Sequence, residues 1–162
     1  FAVSITLMLA ENTSLANAAI GGGVLLALRH VGEALAAPLF GSLGDRFGAV
    51  KIFTMSAALT VVGLLLIAFN QVISGAIILL IFRGAIASLG PTIIAQQFGD
   101  TETVLDNLAR LQSWRDIGAA AGPMVTGFAL VYISAEIQHL VLAIIFGVVL
   151  VLSSQKITTN SN

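Results

Sequence analysis

Four ionisable residues interrupt otherwise apolar runs: Arg29, His30, Glu33 and Arg83. In such a setting a charge is expensive unless it is paired or hydrated, which makes each a functional candidate. Arg29 and Glu33 stand four residues apart, so they share one helical face and are within pairing reach. Glu33 is the only acid in these runs, so one of the two guanidinium groups is left over. A surplus guanidinium suits a water-filled cavity that receives an anionic or carboxylate-bearing ligand. The competing reading is an Arg29–Glu33–Arg83 brace that locks two helices together. His30 points about 100° around the helix from Arg29, which suits a hydrogen bond to a neighbouring helix better than proton transfer. A second polar group, Asp45, Arg46, Trp114, Arg115 and Asp116, sits at the ends of apolar runs. Asp100 directly precedes Thr101 and is placed to cap a helix starting there. Glu136 and His139 fall in a polar gap with no metal-ligand pattern around them. No run carries paired carboxylates, a Ser-His-Asp set or a histidine cluster, so the chain does not read as an enzyme.

The composition explains why so few charges matter. Of 162 residues, 57% are hydrophobic and only 9% are charged, against roughly 25% charged in an average soluble domain. That is too little charge to coat a soluble fold, and the mean hydropathy of +1.02 points to lipid as the solvent. A net charge of −1 supplies no basic stripe, which excludes a nucleic-acid partner. The absence of Cys rules out disulfides, zinc–thiolate sites and thiol chemistry. Neither a cofactor nor a metal is implied.

These residues must be positioned by helices. A spanning helix needs about 20 largely apolar residues. The apolar runs predict six helices, at about 1–10, 16–40, 51–69, 72–95, 111–134 and 137–153, with a polar, disordered tail over 154–162. The first is too short to span and has neither an initiator Met nor a basic lead, so the chain is expected to begin inside a truncated helix. The gaps "ENTSLAN", "NQ" and "SAEIQH" contain no Lys or Arg. Outside Arg29 and Arg83, every basic residue (Arg46, Lys51, Arg110, Arg115, Lys156) follows the second, fourth or sixth predicted helix. The positive-inside rule therefore places those gaps and the C-terminus in the cytoplasm. By itself the stretch "GSLGDRFGAV" (41–50) reads as a tight cytoplasmic turn, with glycines for backbone freedom and an Asp-Arg pair for hydration.

The spacing Gly41-x-Leu43-Gly44-Asp45-Arg46-x-Gly48 also resembles the loop signature between the second and third helices of each half of the major facilitator superfamily. The family pattern is Gly-x-Leu-x-Asp-Arg-x-Gly followed by basic residues; here Ala49 and Val50 hold those places and Lys51 follows. "GAAAGPMVTG" (118–127) resembles the family's fifth-helix signature through Gly118, Gly122, Pro123 and Gly127, with Thr126 in place of a glycine. "RHVGEALAAPLFG" (29–41) and "RDIGAAAGPMVTG" (115–127) form a faint internal repeat between the second and fifth helices. The resemblance implies an all-α polytopic membrane bundle, residues 1–153, of six transmembrane helices arranged as an inverted 3+3 repeat. It implies secondary transport of a small solute by alternating access, with the other six-helix half and the lipid bilayer as partners. The stretch "LQSWRDIGAAAGP" is similar to the eleventh-helix entry of several bacterial members. It implies the C-terminal half of such a protein, in the bacterial inner membrane. The family's loop Asp helps latch the two halves, which assigns that role to Asp45 with Gly41, Arg46 and Gly48. Arg115 and Asp116 are candidate partners of that latch, and solvated interfacial charges are the other reading. Gly118, Gly122, Pro123 and Gly127 are assigned to helix packing and bending. Helices one, two, four and five are expected to line the cavity, with three and six toward lipid. A scaffold that packs with a partner but carries no solute is the alternative function.

Overall fold

The computed structural model describes residues 15–159. These form five helices: α1 (Leu15–Phe47), α2 (Ala49–Ala68), α3 (Val72–Gln97), α4 (Thr101–Ala129) and α5 (Ala135–Thr159). The described residues contain no strand. The predicted helix at 1–10 lies outside them. Among the described residues three helices are long and apolar enough to cross a membrane: α2, α3 and Ala135–Ser153 of α5. In lipid a helix satisfies its own backbone polar groups, which is why such sequences have little alternative.

The main difference from the sequence reading is at 41–51. α1 does not stop at residue 40 but runs helically through Gly41, Gly44, Asp45 and Arg46 to Phe47. The turn is Gly48 alone, at φ 94°, a left-handed conformation that a side chain would strain. Its N–H bonds to Gly44 O at 2.9 Å. Gly44 is helical, and packing requires that it carry no side chain: Leu89 Cδ2 lies 2.7 Å from where its Cβ would stand.

The next turn is equally short. Asn70 adopts φ 64°, which Asn tolerates better than most residues. Its N–H and that of Gln71 satisfy the end of α2 through Ile67 O and Leu66 O. The α2–α3 hairpin closes tightly there, because a Cβ on Gly75 would sit 2.6 Å from Gly63 O and 2.5 Å from Ile67 Cγ1. Ile67, Ala76 and Leu79 form one buried cluster at this end, and Ala49, Ile52 and Leu89 form another beside the Gly48 turn. α3 packs against α2 and α1, and α2 also packs against α5.

α4 starts ten residues before the predicted 111, at Thr101, and ends at Ala129. Its first turns are polar, which hid them from a reading based on apolar runs. Asp100 caps them by accepting from Thr103 N at 2.7 Å. Leu111 approaches α3 at Gly90, where a Cβ would meet its Cδ2 at 3.4 Å. α5 takes in Glu136 and His139, and it continues through 154–159, read from sequence as a disordered tail. His139 is 1% exposed, and its Nδ1 lies 2.7 Å from Ala135 O.

Candidate functional site

Glu33 and Arg83 meet where α1 crosses α3. Arg83 Nε donates to Glu33 Oε1 at 2.9 Å. The crossing is close because its residues are small. A Cβ on Gly84 would stand 2.8 Å from Ala36 Cβ and 3.2 Å from Glu33 Cα, and one on Gly32 would stand 3.8 Å from Leu80 O. Phe40 and Phe82 add a tilted ring contact at 5.9 Å. The backbones on both sides of the ion pair are thereby fixed.

The pair is not sealed. The Arg83 side chain is 48% exposed and that of Glu33 23% exposed. Near the middle of an apolar helix, an exposed guanidinium facing lipid would cost about 3 kcal/mol or more, so its open side must face water or protein. The sequence put Arg29 within pairing reach of Glu33, left one guanidinium over, and offered an Arg29–Glu33–Arg83 brace as the other reading. In the structure Arg83 has Glu33 as its partner, on another helix. The side chain of Arg29 lies outside the described residues. His30 is exposed on α1, one turn before Glu33. Sequence reasoning missed Gly84, Gly32 and Ala36 as the residues that bring the charges together. The small-xxx-small spacing of Gly32 and Ala36 was the available signal.

The signature residues of the α1–α2 corner are positioned differently. Asp45 and Arg46 are exposed on the last turn of α1, where the basic residue suits the helix dipole. Arg46 lies over the Phe47 ring at 5.2 Å. Gly41 lies within α1, and a methyl there would meet no packing atom within 4 Å. On α4, Gln112 Nε2 donates to Asp116 Oδ1 at 3.0 Å, and Arg110 pairs with Asp106 at 2.9 Å. Among the described residues no hydrogen bond or ion pair joins Asp45 to Arg115. Methyls at Gly118, Gly122 and Gly127 would likewise meet nothing within 4 Å. Pro123 is inside α4, where it removes one backbone donor. The glycine-proline face is therefore free of packing partners among the described residues.

The corner signature, the proline-bearing α4 and the charged crossing lie on one chain whose described helices include three apolar enough to span a membrane. The sequence model of the Major Facilitator Superfamily matches residues 1–156. The chain belongs to that superfamily. It is an integral membrane protein of a family that transports small solutes. No curated protein and no solved structure matches it. Among the described residues no cluster of His, Asp or Glu is arranged to hold a metal.

Proposed function

We propose that this chain is the C-terminal six-helix half of a secondary transporter working by alternating access. It rocks against an N-terminal half about a central site, with its six helices as an inverted 3+3 repeat. It lies in the bacterial inner membrane, as its resemblance to bacterial members suggests, with a C-terminus that the distribution of basic residues puts on the cytoplasmic side. Arg83, Glu33 and Arg29 contribute to a site for an anionic or carboxylate-bearing solute. Asp45, with Gly41, Arg46 and Gly48, belongs to the inner latch, which Arg115 and Asp116 join when the halves close. Gly118, Gly122, Pro123 and Gly127 present the packing and bending face of α4. The observation that carries the site is the half-exposed Glu33–Arg83 pair at the α1–α3 crossing.

Magnitude separates a solute site from a brace. A fully buried pair that loses one partner destabilises a protein by about 3–5 kcal/mol. A pair as open as this one is worth about 1 kcal/mol or less to stability. Arg83→Gln keeps a hydrogen-bonding amide on a shorter side chain while deleting the cation. It should abolish uptake of anions into proteoliposomes with little change in melting temperature. Glu33→Gln releases the positive charge that Glu33 offsets, so anion binding should hold or tighten while release slows. If both variants melt early and neither alters the preference for anions, the pair is a brace. If the wild-type protein moves no solute at all, a non-transporting scaffold is the better reading.

A further inference from the structure

We propose that Arg83 receives a single carboxylate on its terminal nitrogens, Nη1 and Nη2, while Glu33 stays bonded to Nε as a positioning residue. The inference rests on the anion-site reading above and specifies its stereochemistry and its ligand. A guanidinium carries five N–H donors in one plane, one on Nε and four on the two Nη atoms. Glu33 accepts from Nε at 2.9 Å. The described residues give Arg83 no second hydrogen bond or ion pair. The terminal edge is thus open, on a side chain that is 48% exposed. Two parallel N–H groups on that edge match the two oxygens of one carboxylate, a pairing that adds geometric selectivity to charge.

The position of that edge is set from behind. Glu33 holds the guanidinium at Nε, and its own Cα is locked at 3.2 Å from where a Gly84 Cβ would stand, beside Arg83 in sequence. A planar fork held this way loses little further freedom when it binds. The ligand therefore adds to the pair and does not displace Glu33. Charge selects the class. The sequence places Arg29, Glu33 and Arg83 in these spans, one net positive charge, which a monocarboxylate neutralises and a dianion would overshoot.

The test uses the complete protein in detergent. Melting is followed with acetate, propionate and benzoate, each against its neutral amide at matched ionic strength. Carboxylates should raise the melting temperature and amides should not. Arg83→Lys keeps the charge without the fork and should weaken carboxylate binding about tenfold. Glu33→Ala frees the guanidinium and should weaken it by a similar factor, whereas Glu33→Gln, whose amide oxygen still accepts from Nε, should bind no more weakly than the wild type. That rescue separates positioning from simple charge or packing. Equal responses to carboxylates and amides overturn the proposal, as does wild-type affinity in Glu33→Ala or Arg83→Lys. A Glu33→Gln variant as weak as Glu33→Ala overturns the positioning role. Loss of binding in Arg83→Gln with full binding in Glu33→Ala sinks only this inference; full binding in Arg83→Gln removes the anion site itself.

Discussion

Asp100 shows how one side chain starts a helix that apolarity alone would not reveal. Its carboxylate accepts from the backbone N–H of Thr103, and that bond, followed by the Thr103 hydroxyl, holds its pKa below the ordinary aspartate value. A carboxyl with a lowered folded pKa adds stability above its unfolded pKa and loses it as pH falls through the folded one. The first turn of α4 should therefore fray on acidification. Asp100→Asn still caps but does not titrate. Amide exchange at Glu102–Val104 should accelerate in the wild type relative to this variant below about pH 4. Identical acid responses would show that the cap does not titrate there. Cap and helix start were both legible, because a Ser, Thr, Asp or Asn cap is a local signal. The Glu33–Arg83 contact was legible only as one of two readings, the brace, because Arg83 lies fifty residues away and no local signal chooses it.

At the scale of elements, helical glycines that look alike in sequence have opposite surroundings. Gly32 and Gly84 lie in the α1–α3 crossing, where a methyl on Gly84 would be 2.8 Å from Ala36 Cβ. Gly118 and Gly122, three residues apart between them as in any small-xxx-small pair, have no packing atom within 4 Å. Gly84→Ala must push α1 from α3 and should destabilise by about 1–3 kcal/mol, the usual range for overpacking. Gly118→Ala should be neutral or gain up to about 1 kcal/mol from helix propensity. Thermal unfolding in detergent compares the two. A larger loss from Gly118→Ala would mean that α4 is packed on that face.

Across the whole molecule, the α1–α2 corner lies far along α1 from the charged crossing. If Asp45 belongs to a latch between halves, Asp45→Asn should slow turnover severalfold while leaving solute affinity close to wild type. Uptake rate and equilibrium binding on the complete protein measure the two. A large loss of affinity at unchanged turnover would rule the latch out. The connections at this scale are short. Gly48 alone joins α1 to α2, and two residues past Phe69, Asn70 and Gln71, lead from α2 into α3. A change at the corner is thus passed directly to two helices at once.

The sequence by itself determined the solvent, the helical class and the family. Each follows from local quantities: apolar run length, the scarcity of charge, and a motif of fixed spacing. It also singled out Glu33 and Arg83, because charge within an apolar run is visible without any fold. It misjudged the corner at 41–48, since glycines and an Asp-Arg pair look like a loop, whereas the stretch is helical to Phe47 with Leu89 packed onto Gly44. Its apolar runs began this helix, α4, only at 111, while the Asp100 cap marked the start at Thr101, since a polar first turn is recognised by its cap and not by hydropathy. Only the tertiary structure decided that Glu33 reaches across to Arg83 and that, among the described residues, the guanidinium has no second partner. Both depend on how closely α1 and α3 approach, and that distance is set by small residues on two helices jointly, which no single stretch of sequence contains.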